Sequence, residues 1–219
     1  MSDALTILYE DNHILAVNKP AGLLAMGDHT GGPTLLDAAK AYVKAKYAKP
    51  GDVFLGIVHR LDRPVSGVML LARTSKAARR LSEQFRDHTV QKVYLAWVEG
   101  RVAPPAGTLI HWLRKDRESN HVTAVKENAG GAQECLLDYR QLSTRGTRTL
   151  LEIRPQTGRS HQIRVQLSTQ GWPIVGDRKY GAKSPWPNGI ALLAKSITFD
   201  HPTKHEPMTV ECPLPKSWN

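Results

Sequence analysis

The stretch His59-Arg60-Leu61-Asp62-Arg63-Pro64-Val65-Ser66-Gly67 places one carboxylate between two guanidinium groups, directly after the apolar run Val53, Phe54, Leu55, Ile57 and Val58. Arginine stays charged at any accessible pH, and a neighbouring cation favours the ionised form of a carboxylate. An aspartate held charged at the end of a core strand is a candidate nucleophile or base. The same residues also describe a structural ion pair closing a turn, because such networks perturb acids too. The residues around Asp62 leave both readings open.

Working outward from this stretch, Val68 to Ala72 is a wholly apolar strand candidate, and Thr74 caps a helix with Ala77, Ala78, Leu81 and Phe85 on one face. The opposite face carries Lys76, Arg79, Arg80 and Arg86, a solvated surface or a phosphate contact. Upstream, Leu5 to Tyr9 and His13 to Val17 are expected as short strands, followed by an Asn18-Lys19-Pro20-Ala21-Gly22-Leu23 turn. Thr34 and Asp37 resemble a capping box ahead of a helix bearing Leu35, Leu36, Ala39, Tyr42, Val43 and Tyr47, stopped by Lys49-Pro50-Gly51.

Downstream, Lys92 to Val98 alternates as a strand, with Tyr94, Ala96 and Val98 facing away from Val93, Leu95 and Trp97. Pro104-Pro105-Ala106-Gly107 is expected to break the chain, and Arg114-Lys115-Asp116-Arg117 to be a basic loop or strand end. Strands are expected at Cys135 to Leu142, Thr149 to Ile153, Ile190 to Ala194 and Met208 to Glu211. Thr157 is expected to cap a third helix, Arg159 to Gln170, ended by Gly171. Strands outnumber helices without regular alternation, which predicts an α+β fold on a mixed, mostly antiparallel sheet. No repeat or low-complexity linker interrupts the chain, and its 219 residues suit one large domain or two small ones.

Thirty Lys and Arg against twenty Asp and Glu give a net charge of +10 and a pI near 9.8. That balance points to nucleic acid as partner, ahead of an anionic membrane. No apolar run reaches the roughly 20 residues of a spanning helix. The start, Met1-Ser2-Asp3-Ala4, is not the basic lead of a secretory signal. Cys135 and Cys212 match neither a zinc spacing nor a redox pair, so a reducing, cytoplasmic setting is expected with both thiols as packing residues.

Two further clusters bear on chemistry. Thr157-Gly158-Arg159-Ser160-His161-Gln162-Ile163-Arg164 would offer backbone N–H groups and basic side chains at a helix start, suited to a phosphate or carboxylate. On that helix Ser160, His161 and Arg164 would share a face; a capped surface helix is the plain alternative. Tyr94, taken alone, is a core tyrosine. His201 and His205 have a metal-pair spacing, but Pro202 and Pro207 make their segment a loop, so no metal is expected. Neither phosphate-binding glycine pattern occurs, so no nucleotide cofactor is expected.

Together these segments resemble the RluA-type family of pseudouridine synthases over nearly the whole chain. HRLDRPVSG is similar to the family's catalytic signature HRLDRxTSG, and Tyr9-Glu10-Asp11 through Asn18-Lys19-Pro20-Ala21-Gly22 to its opening signature. Gln91-Lys92-Val93-Tyr94-Leu95-Ala96 resembles its tyrosine-bearing strand. TGRSHQIRVQL resembles its TGRxHQIRxHL segment, and His201-Pro202 with Pro213-Leu214-Pro215 its C-terminal end. Val65 and Gln166 depart from the usual Thr and His. The resemblance implies the pseudouridine synthase fold in a single stand-alone catalytic domain over residues 1–219, without the S4-like domain of many relatives, so the basic surface of this domain would hold the RNA.

It further implies isomerisation of uridine in ribosomal or transfer RNA, at a stem-loop, by a monomer, without cofactor or metal. Asp62 would be the essential carboxylate, attacking C1′ or acting as a base at C2′. Arg164 would keep it ionised, and Tyr94 would stack near the target base and help remove the C5 proton. Ile163 would wall the uracil ring, Arg60 would fill the space of the flipped base, and Arg159 and His161 would bind substrate. The rival reading is an RNA-binding module that keeps the fold without chemistry. A carboxylate nuclease or glycosidase lacks a second acid.

Overall fold

The computed structural model describes residues 5–27, 31–116 and 118–218. The expectations for Met1 to Ala4, for Arg117 and for part of the polar loop after Gly22 lie outside the described residues. The chain divides into two compact units, Met1–Lys92 with Ala194–Asn219, and Val93–Leu193.

The first unit opens with β1 (Thr6–Glu10) and β2 (Ile14–Lys19), an antiparallel pair. α1 (Leu35–Lys46) follows, with the hydroxyl of Thr34 accepting from the Asp37 amide at 3.1 Å and donating to its carboxylate at 2.7 Å. Thr34 is the expected N-cap, with the Asp37 carboxylate bonded to its hydroxyl in place of the backbone N–H that a capping box engages. β3 (Gly56–Ile57) and β4 (Ser66–Ala72) come next, then α2 (Ser75–Arg86), capped by Thr74 as expected.

Leu15 and Val17 of β2 and Met69 and Leu71 of β4 share a buried cluster with Leu35, Ala39 and Val43 of α1. The alternation of a strand selects this set, and the helical spacing on α1 presents the matching stripe. The strand order in this unit is β1-β2-β4-β10, with β10 spanning Leu192–Asp200. β3 lies beside β4, and β11 (Pro207–Glu211) pairs antiparallel with β10.

The apolar run before Asp62 is not the core strand the sequence suggested. β4 is flanked by β2 and β10, so only its last residues, Leu71 and Ala72, are left to pair with Ile57 and Gly56. Val53 and Leu55 instead bury against α1, while Phe54 is 53% exposed. Asp62 therefore sits in a turn between β3 and β4 and not at a strand end.

In the second unit, β5 (Gln91–Glu99, which begins in the first unit), β6 (Ala106–Asp116), β7 (His121–Val125), β8 (Gln133–Arg145) and β9 (Arg148–Pro155) run in the order β5-β9-β8-β6-β7, every neighbouring pair antiparallel. Leu95, Ala96, Trp97 and Val98 are all buried, so β5 is covered on both faces and its alternation carries no polar side. The expected break at Pro104-Pro105-Ala106-Gly107 ends two residues earlier, at Pro105: Ala106 and Gly107 already pair with Arg140 and Tyr139.

α3 (Gln162–Thr169) corrects the sequence reading more substantially. Its N-cap is His161, at φ 53°, with no side-chain cap. Thr157 is drawn elsewhere: its hydroxyl accepts from the Leu136 amide of β8 at 3.0 Å and donates to the Gln162 side chain at 2.8 Å. Arg159, Ser160 and His161 consequently lie in the lead-in loop and share no helical face with Arg164. The helix is buried from Gln162 to Leu167, not a surface helix.

Both cysteines are buried, and burial pushes their thiols up to about 11, so they behave as inert packing residues. No helix among the described residues is long and apolar enough to cross a membrane.

Candidate active site

The turn bearing Asp62 is held by its neighbours in sequence and in space. Leu61 and Val65 are buried on either side of it, and the Val65 amide donates to the Asp62 carbonyl at 3.0 Å. Gly67 ends the turn at φ +120°, where a Cβ would lie 2.3 Å from the Ala194 carbonyl oxygen. Only glycine fits there, which explains the last letter of the motif.

Beneath the turn lies Lys19, fully buried. Its ammonium donates to the carbonyls of Pro20 at 3.0 Å, Leu23 at 2.8 Å and Arg63 at 3.2 Å. Burial pushes its pKa down to about 8, while the charge of Asp62 acts in the opposite direction. A buried cation is retained only when it is well solvated by the protein, and three carbonyls with a nearby carboxylate do this. The Gly22 amide also donates to the Arg63 carbonyl, and Arg63 Nε returns a bond to the Gly22 carbonyl. Arg63 thus clamps the Pro20–Leu23 turn to the Asp62 turn, whereas Arg60 is exposed.

The sequence reading passed over Lys19 as a turn residue. The signal was present: Lys19 has the same strand parity as Leu15 and Val17, so β2 points it into the core.

His59, at the head of the motif, serves the framework. It stacks on Phe85 with ring centroids 4.7 Å apart, and its Nε2 accepts from the Leu70 amide at 2.9 Å. Burial, with a smaller contribution from Lys92, pushes its pKa down to about 3. Below the usual histidine pKa of about 6.5 the unfolded chain takes up a proton that the folded chain refuses until about pH 3. Stability is therefore expected to fall as pH drops through that window. In urea titrations His59→Asn should flatten this slope; an unaltered slope would remove His59 as its source.

His201 is occupied as well. Its Nε2 donates to Asp11 at 2.7 Å, a tautomer set by Nδ1 accepting from the Lys204 amide at 3.1 Å. Among the described residues no group of three or more His, Cys, Asp or Glu is arranged to hold a metal ion.

In the second unit, Arg164 is 5% exposed and donates from Nε and Nη2 to the two oxygens of Asp177 at 2.7 and 2.9 Å. Its guanidinium also lies 4.9 Å from the centroid of the Tyr180 ring. A planar cation held bidentately and stacked has almost no orientational freedom. Asp177 and Tyr180 were not singled out in the sequence; nothing local marks them, since the pairing spans 13 residues and a change of direction after α3. Ile163 is buried beside Arg164 on α3, and Arg159 is exposed in the loop before it. Gln162 anchors that loop, its amide donating to Leu136 O at 2.9 Å while its carbonyl accepts from the Arg159 amide at 3.0 Å. Tyr94 is partly buried on β5 opposite Ile153 of β9. Gln166, the departure from the family's histidine, donates to the carbonyls of Leu109 and Cys135, both at 3.0 Å, and ties α3 to β6 and β8.

A turn that fixes one carboxylate over a buried lysine, and a buried helix that fixes one arginine, are parts for polar chemistry on a bound substrate. Residues 13–169 match the family model described as RNA pseudouridylate synthase. The chain is 37% identical to the Bacillus subtilis RNA pseudouridine synthase YlyB, over 97% of this chain and 70% of that protein. It is 34% identical to the ribosomal large subunit pseudouridine synthase C of Vibrio vulnificus, over 95% of this chain and 65% of the relative. Among solved structures, human RNA pseudouridylate synthase domain containing 4 superposes with a TM-score of 0.81 at 26% identity, covering 96% of this chain and 89% of that one. The chain belongs to the RNA pseudouridylate synthase family, enzymes that isomerise uridine in RNA. It spans about two thirds of the length of these curated relatives, 70% and 65%.

Proposed function

We propose that this chain isomerises uridine to pseudouridine in a stem-loop of ribosomal RNA, with Asp62 as the essential carboxylate. The observation that carries this reading is the Asp62 turn itself. It combines a half-buried acid, a buried lysine beneath, an exposed Arg60 beside it and a glycine that no other residue could replace. The Vibrio vulnificus relative is named for the large ribosomal subunit, which supports ribosomal RNA over transfer RNA as the target class.

In the reaction the C1′–N1 bond of uridine breaks, the uracil turns, and a C1′–C5 bond forms with loss of the C5 proton and protonation of N1. Asp62 acts as a carboxylate, at C1′ or at C2′. Arg164 favours its ionised form, and Tyr94 lies against the base and assists removal of the C5 proton. Ile163 offers an apolar wall to the uracil, while Arg159 and His161 bind the nucleotide and its phosphates. The uridine is flipped out of its stack at a cost of about a few kcal/mol, and Arg60 takes its place. The protein acts as a monomer in the cytoplasm.

Release of tritium from C5-labelled uridine in ribosomal RNA tests the reading, since only C5 substitution expels that hydrogen. Absence of release from any ribosomal fragment, or release at an unspecific rate from all RNAs, would reject it. Arg60→Ala is expected to lower the rate by about a hundredfold while RNA affinity drops by less than about tenfold. Equal losses in both would reassign Arg60 to simple backbone binding.

A further inference from the structure

The chain from Val53 to Arg60 approaches the Asp62 turn alongside α2. At the far end, the tip of the Phe54 ring and the Cβ of Ala78 lie 3.4 and 2.9 Å from the point where a Cβ on Gly56 would sit. At the near end, the His59 ring stacks on Phe85 at 4.7 Å. Ala78 and Phe85 are seven residues apart on α2, a rise of about 10 Å.

Val53, Leu55 and Ile57 pack toward α1, so the alternation of an extended chain turns Phe54 and Gly56 the other way, toward α2. A side chain at Gly56 would strike Ala78, so glycine is what lets the strand and the helix close up. Phe54 thus rests its edge on the Gly56 backbone while 53% of its surface meets solvent.

The two flanks of α2 differ. On one, Gln84 exchanges hydrogen bonds with the backbone of Asp200, both at 2.8 Å, and Arg80 donates to the Pro202 carbonyl. Arg80 therefore serves the framework, apart from the basic surface expected of this helix. The flank on the Ala78 side carries an exposed row, Ser75, Arg79, Ser82 and Arg86. Their helical spacing keeps all four within about 100° of Ala78 around the axis. Glu83 meets Arg79 at 2.8 Å and Asp87 meets Arg86 at 3.4 Å. Exposed pairs of this kind are weak, and a phosphate can displace them.

An aromatic face beside a row of arginines and serines has the chemistry of a single-strand nucleic-acid site. Any base stacks on the ring, while the cations and hydroxyls meet its phosphates. A lone exposed aromatic side chain is ordinary. What sets Phe54 apart is the row of donors beside it and its distance from the Asp62 turn. The rise between Ala78 and Phe85 equals about three nucleotide steps at the stacked spacing of about 3.4 Å.

We propose that Phe54, with Arg79 and Arg86 of α2, forms a subsite for an unpaired nucleotide about two to three positions from the target uridine. The ring stacks on the base and the arginines hold the adjoining phosphates. This rests on the reading of RNA as the substrate and of Asp62 as the residue that meets the flipped uridine.

Fluorescence anisotropy of the full chain with a labelled oligouridylate, and with the same oligomer made abasic, tests the subsite. Phe54→Ala should weaken oligouridylate binding by about tenfold. The abasic oligomer keeps its phosphates but has no base to stack, so its affinity should stay within about twofold of the wild type. Phe54→Trp should bind oligouridylate at least as tightly as the wild type, because the larger ring stacks as well. Arg79→Ala combined with Arg86→Ala should weaken both oligomers alike and lower the dependence of affinity on salt. If Phe54→Ala fails to fold, Phe54→Leu repeats the comparison, keeping an apolar contact with Gly56 but no ring. A ring-free variant that binds oligouridylate as the wild type does overturns the inference and leaves the patch to a protein partner. Equal loss of both oligomers overturns it too. Neither measurement needs turnover, so wild-type protein that shows this binding pattern but releases no C5 label brings down the functional reading alone.

Discussion

Asp62→Asn should abolish release of the C5 hydrogen from uridine, a fall of at least about a thousandfold in single turnover. Asparagine matches aspartate in size but carries no charge, cannot take a proton and is a poor nucleophile. RNA affinity should stay near the wild-type level, because phosphate contacts supply most of it. The same variant separates the two meanings that the motif allows in isolation. Asp62 is half-buried, and Lys19 beneath it is already met by three carbonyls. Asparagine keeps the size and hydrogen-bonding reach of the side chain, so the variant is expected to remain folded under assay conditions. If Asp62 only closed a turn, the result would reverse, with stability lost and label still released. Urea denaturation and tritium release on one preparation decide between them.

Asp177→Ala should be the most destabilising single change in the second unit, at about 3–5 kcal/mol. Arg164 and Asp177 are 6% and 1% exposed at the side chain, with bonds of 2.7 and 2.9 Å. Removing the carboxylate takes away the bidentate partner of a buried guanidinium, which the interior cannot solvate well. An exposed pair gives the scale: Glu83→Ala, which breaks the Arg79–Glu83 bridge on α2, should cost only about 0.3–0.5 kcal/mol. Adding Arg164→Met to Asp177→Ala should restore part of the lost stability, since a methionine needs no counter-charge. A double variant as unstable as the sum of the two singles would show that the pair is not coupled.

Much of the first unit is legible in its residues. The alternation of Leu15 and Val17, the stripe on α1 and the threonine caps at Thr34 and Thr74 are relations within a few positions, and all appear as expected. α3 shows where that logic stops. Thr157 has the local signature of a cap, but Leu136 lies 21 residues away and its amide takes the hydroxyl, so the helix begins later, at Gln162. The run Val53 to Val58 fails similarly, because β2 and β10 already occupy the edges of β4.

By itself the sequence determined the family, the α+β class and the strand and helix positions set by short-range periodicity, and it singled out Asp62 as the candidate carboxylate. Only the tertiary structure decided that Lys19 is buried beneath that aspartate, and that Arg164 is locked to Asp177 and faces Tyr180. The physical reason is range. Capping and amphipathic spacing are set over one or two turns of chain, whereas the desolvation of a charge and the partner that offsets it depend on which distant segments pack around it.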